Sequence, residues 1–202
     1  GQLAICLPEK NLMLVTTADV LENPCGVDQI FQAFWDTIYA DLTDESLPED
    51  PEASDALYER LSSLKVPHVQ GDSDSPIALS VGGKRFQLDD NPSVYRAVAV
   101  GFGPDYGTFE YTTESGTHEI RFGFGHNVRQ FFPEAGYECL ASGAWVDAET
   151  LFIRVYITDE NLGSVQLVLH FAPDGSVTLS SRTFGDTMLT GLDACVTGYI
   201  YE

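Results

Sequence analysis

The chain has 202 residues, 44% of them hydrophobic, and its 31 acidic against 10 basic side chains give a formal net charge of −21. That length allows a substantial buried core, while so anionic a chain repels phosphate backbones and anionic membrane surfaces, which argues against nucleic acid or a membrane as a partner. No stretch reaches the roughly 18 apolar residues that a membrane-spanning helix needs.

Residues 1–18, GQLAICLPEKNLMLVTTA, read as an apolar strand, a turn at Pro8-Glu9-Lys10-Asn11 and a second apolar strand. Such a hairpin is marginal in water unless a sheet or helix covers it, so it is expected to be the closing piece of a larger sheet. Beyond Asn23-Pro24, apolar residues at Val27, Ile30, Phe31, Phe34, Ile38 and Leu42 share one helical face, widened by Trp35 and Tyr39. The spacing predicts a helix from about 26 to 42. Residues 43–55 are acidic, contain proline and read as a solvated connection. Asp50 and Pro51 supply an N-cap and a first helical residue for a second, short helix running to about Leu64. Residues 65–76 lack periodicity and read as a linker, which puts one domain at 1–66 and another at 77–202.

From Ile77 the period changes to two. IALSV and KRFQL flank Gly82-Gly83 as a hairpin, VYRAVAVGF is a strand, and TFEYTT and THEIRFGFG flank a turn at Glu114-Ser115-Gly116. ECLASGAWV and TLFIRVYIT surround Asp147-Ala148-Glu149, SVQLVLHF and SVTLSSRT surround Pro173-Asp174-Gly175, and ACVTGYIY closes the series. The chain is therefore read as mainly β (α+β): an N-terminal hairpin with two helices, then an antiparallel up-and-down barrel of about eight to ten strands. Meander order favours a barrel over a sandwich because closure removes exposed edges.

Gly1-Gln2, Pro8-Glu9-Lys10-Asn11, Leu14-Val15-Thr16-Thr17-Ala18 and the helix from about 26 to 42 follow a known order. In it this segment resembles the end of the catalytic domain of serine β-lactamase-like proteins, the class C and penicillin-binding-protein group. The remainder, best at Gly143-Ala144-Trp145 and Thr150-Leu151-Phe152-Ile153, is similar to the small lipocalin-like barrel appended to such hydrolases. The resemblance implies a non-catalytic C-terminal region of such a hydrolase, with the missing N-terminal catalytic portion as its partner. Without that portion, the apolar strands and the helix stripe at Ile30, Phe31, Phe34 and Ile38 face water, so a homodimer through residues 3–42 is expected. The alternative is a stand-alone lipocalin-like barrel that binds a small apolar ligand.

The residues themselves offer little catalytic material. Ser62 and Lys65 form a Ser-x-x-Lys spacing, but they close a short acidic helix and no Tyr-x-Asn follows, so the catalytic set is read as empty and the chain as no enzyme. His68, His118, His126 and His170 lack paired spacing, and Cys6, Cys25, Cys139 and Cys195 form no C-x-x-C pair. No metal or other cofactor is expected on those grounds. The thiols are expected to be free and buried, as small core residues, with one disulfide as the alternative. Phe122-Gly123-Phe124-Gly125 lacks the Lys-Ser/Thr of a phosphate loop and reads as barrel curvature. Aromatics are dense from Phe86 to Phe184, and alternation points about half of them inward. They either pack as a core or line an apolar cavity.

Overall fold

Two patterns of burial divide the chain, and they coincide with two units, Gly1–Val66 and Pro67–Glu202. The computed structural model describes residues 2–18, 20, 23–160, 162–185 and 187–201.

In the first unit, β1 (Leu3–Leu7) and β2 (Leu12–Thr16) pair antiparallel, from Leu3 opposite Thr16 to Leu7 opposite Leu12. A 3-10 turn at Pro8–Lys10 joins them and ends on Asn11 at φ 50°, a left-handed conformation that Asn tolerates well. The hairpin forms a two-stranded sheet of its own. The expected single helix from 26 to 42 breaks: α1 spans Gly26–Ala33, then a π-helical turn covers Phe34–Ile38 and a 3-10 turn Tyr39–Asp41. Thr37 Oγ1 donates to the Ala33 carbonyl, a side-chain bond that competes with the helical ladder. The rings of Phe34, Trp35 and Tyr39 pack against one another at 4.5–6.2 Å. The next helix, α2 (Pro51–Ser62), starts where its cap predicts, with the Asp50 carboxylate accepting from the Ala53 N–H at 2.9 Å. Its apolar residues Leu57 and Leu61 are exposed.

The second unit is a ten-stranded meander. Its strands are β3 (Arg85–Leu88), β4 (Ala97–Phe102), β5 (Tyr106–Thr113), β6 (Gly116–Gly123), β7 (Val128–Phe131), β8 (Glu138–Trp145), β9 (Thr150–Thr158), β10 (Leu162–Phe171), β11 (Ser176–Gly185) and β12 (Ala194–Ile200). Each pairs antiparallel with the next in sequence except across β6 and β7, and β12 returns to β3. Period-two alternation sends Leu151, Ile153, Val155, Val165, Leu167, Leu169, Val177 and Leu179 inward, each with 0% of its surface reachable by water. A hollow barrel would leave its lining wetted from inside. This one is filled, and each such side chain contributes about 1.5–3 kcal/mol of hydrophobic stabilisation.

Three sequence expectations change here. Ala78–Val81 is a helical turn, α3, rather than a strand. Ser75 starts it: its Oγ accepts from the Ile77 N–H and its carbonyl from the Ala78 N–H. A four-residue apolar run cannot distinguish strand from helix by periodicity. Strand β7 went unread because Val128-Arg129-Gln130-Phe131 has too few apolar residues to show alternation. The supposed linker is partly built into the barrel.

That last point concerns the seam between β6 and β7. The Gln130 side chain stands in for the missing ladder, accepting from the Arg121 N–H at 3.0 Å and donating to the Arg121 carbonyl at 2.5 Å. Gly123 of β6 meets Ser142 of β8 in a parallel bridge. The Phe122 ring crosses the seam into space left by two glycines: a Cβ on Gly107 would lie 2.3 Å from it, and one on Gly143 2.5 Å. Residues 69–72 then lie along β8. The Val69 N–H donates to Ser142 Oγ at 2.9 Å, and Asp72 and Trp145 exchange backbone hydrogen bonds at 2.9 Å each. Gly71, at φ 150°, makes this approach possible, since a Cβ there would sit 2.5 Å from the Trp145 carbonyl oxygen.

A chain beginning at Pro67 is expected to melt cooperatively as a β protein, and one beginning at Pro76 to melt at lower temperature because the strap over β8 is gone. Gly143→Ala is expected to cost about 1–3 kcal/mol in urea unfolding, the usual penalty for overpacking a tight core. Equal stability of all these chains would remove the seam from its place in the fold.

Candidate functional site

At one end of the barrel, α3 covers an aromatic cluster. Ala78 is buried, Ile77 and Val81 pack on the core, and Leu79 points outward with 98% of its surface exposed. Ser75 Oγ ties the start of the turn to the Ala148 carbonyl at 2.6 Å. Below it the rings run Phe86–Phe171–Trp145–Phe102, with centroids 5.7, 5.9 and 5.4 Å apart. Beside the helix opens a cleft of about 310 Å3. Its apolar lining includes Ile77, Val81, Phe86, Phe171 and Ile200, and Lys84 and Glu149 are its charged groups. Trp145 is 1% exposed, and its Nε1–H has no hydrogen-bond partner among the described residues. An orphaned donor of this kind costs about 1–3 kcal/mol.

The other end is polar and internally bonded. Tyr95, Phe109 and Tyr111 pack ring on ring, the Tyr111 hydroxyl donates to Glu134 at 2.9 Å, and the Tyr95 hydroxyl lies 3.3 Å from Ser181 Oγ. Burial raises both phenols well above their ordinary value, and for Tyr111 the neighbouring Glu134 carboxylate adds to the shift. A second cleft, of about 360 Å3, is bordered by Arg96, Thr113, Ser115, Glu114 and Glu134. Arg96 is already engaged by the Ser93 and Tyr95 carbonyls and by Glu114, at 2.6, 3.2 and 3.2 Å. Pro92 and Val94 are its apolar lining, and its one cation, Arg96, is the group already engaged.

The residues weighed from sequence lie apart. Ser62 Oγ donates to the Glu59 carbonyl at 2.9 Å in the last turn of α2, and Lys65 lies beyond the helix. His118 contacts Thr113 and Ser115, His126 the Phe124 carbonyl, and His170 the Thr150 hydroxyl. Among the described residues no three His, Cys, Asp or Glu side chains are placed to hold a metal ion. All four cysteines are free, but Cys6, Cys25 and Cys195 are exposed, contrary to the expectation of buried thiols. Cys6 and Cys195 lie on short apolar strands that gave no sign of which face would meet water, and Cys25 precedes α1. Only Cys139 is buried, and burial pushes its thiol up to about 12. The cleft beside α3 was missed because the turn that shapes it was read as a strand. Ser75-Pro76 was the available signal.

No family model matches the chain, and no curated protein does. Solved structures that resemble it include a fatty-acid-binding protein from brain tissue of Drosophila melanogaster, at 18% identity and a TM-score of 0.41. Another is the fatty-acid-binding protein from Manduca sexta, at 11% identity and a TM-score of 0.40. In each case the match covers 60% of this chain and 99% of the other. Likeness at this level establishes neither family nor ligand. The reading of residues 1–66 as the end of a serine β-lactamase-like catalytic domain is set aside: no family model or curated protein supports it, and the hairpin forms a two-stranded sheet of its own instead of closing a larger one. The missing catalytic portion falls with it as a partner, and the homodimer through residues 3–42 loses the absent sheet on which it depended. Within the first unit, the hairpin pairs only with itself and the helix expected to cover a sheet is broken after Ala33.

The buried acids set a pH dependence. Cys139, Tyr95 and Tyr111 hold their protons more tightly folded than unfolded, so their contribution is full below the unfolded values and is lost as pH rises through the folded ones. The melting temperature is therefore expected to fall as pH rises above about 9, the ordinary thiol value. Cys139→Ala should flatten the first part of that fall. A flat profile from pH 8 to 11 would contradict the burial of all three groups.

Proposed function

We propose that the barrel binds a small apolar molecule, without catalysis, in the cleft beside α3. The observation that carries this reading is the cleft itself: Ile77, Val81 and Ile200 stand over Phe86 and Phe171 around about 310 Å3 of open space, near the lower limit of small-molecule pockets. The packed interior supports a site at the barrel's end over one in a hollow centre, since side chains along its middle already fill it. Ile200, part of the lining, is exposed and offers apolar surface at this mouth. An occupant would cover part of it.

The test is fluorescence of the uncharged dye N-phenyl-1-naphthylamine, titrated with the full chain. Brightening is expected, and Val81→Glu is expected to weaken binding at least tenfold, about 1.4 kcal/mol, with circular dichroism used to check that the variant is folded. Unchanged affinity in Val81→Glu would place the dye elsewhere and overturn the reading.

A further inference from the structure

We propose that the occupant of this cleft is an uncharged molecule carrying a hydrogen-bond acceptor, and that the Trp145 Nε1–H is the donor that receives it. The inference rests on the reading of the cleft as a ligand site and names the ligand class. Two independent observations meet here. Trp145 is 1% exposed with an unpartnered indole N–H, although a buried Trp N–H normally finds a partner. Its ring packs against Phe171, centroids 5.9 Å apart, and Phe171 also lines the open cleft. Phe171 thus touches both the Trp145 ring and the open space, and an occupant whose acceptor reaches past Phe171 satisfies the indole.

The charge of the acceptor follows from what surrounds it. The buried polar residues are Ser75, Ser93, Thr113, Ser142, Ser176 and Ser181, none of them a cation. Lys84, the cleft's cation, is exposed and shares the cleft with Glu149, in a chain of net charge −21. A carboxylate brought to Trp145 would be desolvated against a neutral donor with no counter-charge, which is strongly unfavourable. A ketone, ester, amide or hydroxyl oxygen meets the same N–H without that penalty.

The experiment compares naphthalene, 2-acetylnaphthalene and 2-naphthoate, one ring system with no head, a neutral acceptor and a carboxylate. Binding to the full chain is measured by calorimetry. The two tryptophan indole N–H signals are followed by 15N-correlated NMR and assigned with Trp35→Phe. 2-Acetylnaphthalene is expected to bind about tenfold tighter than naphthalene, or 1.4 kcal/mol, with 2-naphthoate weakest. The Trp145 signal should move downfield with the ketone and not with naphthalene, and Trp145→Phe should abolish the preference while keeping naphthalene binding. A preference that survives Trp145→Phe, a tightest-binding carboxylate, or an indole signal that the ketone leaves in place overturns the proposal. If Trp145→Phe does not fold, the signal in the unaltered chain decides. Binding of naphthalene with no gain from the acetyl group removes the anchor and leaves the cleft reading standing. No binding by any of the three removes both.

Discussion

The barrel depends on closing the one place where its wall has no backbone ladder. Nine strand pairs follow from local sequence order or from the return of β12 to β3, but β6 and β7 diverge. The gap is bridged by the Gln130 amide on the Arg121 backbone, by the short contact of Gly123 with Ser142, and by the strap at residues 69–72. Phe122 makes these compatible with a dense core. Its ring fills the space that Gly107 and Gly143 leave empty, so the two sides of the seam share one packed layer. With wall and interior closed together, fully buried side chains line the middle of the barrel.

The two ends differ in kind. Around Tyr95 and Tyr111 the polar groups are matched to partners already present, so an incoming ligand would have to break bonds. Around Trp145 the surroundings are aromatic and the one polar atom is unmatched. The phenols are satisfied by Ser181 and Glu134, whereas the indole N–H has no hydrogen-bond partner among the described residues. The unmatched donor belongs to a ring that packs on Phe171, itself part of the cleft's lining, and no such group lies among the bonded phenols of the other end.

Much of the barrel was legible because alternation is a direct imprint of one buried face. The segments from VAVGF to CVTGYI show it, and the turns at Glu114-Ser115-Gly116 and Pro173-Asp174-Gly175 lie between the strands they were read to join. The failures have physical causes. Ile77–Val81 is too short for periodicity to separate a helical turn from a strand. Val128–Phe131 pairs with β8 but shows too little alternation to be read, and its Gln130 amide bridges to β6 in a way no pattern announces. The strap needs no alternation, only a glycine where backbone meets backbone. The cleft was invisible for the same reason as α3, and the unmatched indole exists only in three dimensions. At the N-terminus, a hairpin and an apolar helical stripe suggested a larger sheet, because such local patterns are shared by many folds.

The seam also governs the order in which the chain gains its structure. Hairpins such as β5–β6 and β10–β11 join neighbouring segments across tight turns, so little chain entropy is lost in forming them. The strap joins Val69 to Ser142, 73 positions apart, and its binding surface on β8 exists only after β8 has paired with β9. Contacts of such separation slow folding. Until the strap arrives, the outward faces of Ser142 and Ala144 stand uncovered beside an unpaired strand edge. A side chain at position 71 would meet the Trp145 carbonyl oxygen, so the last contact to form is also the one that tolerates no bulk.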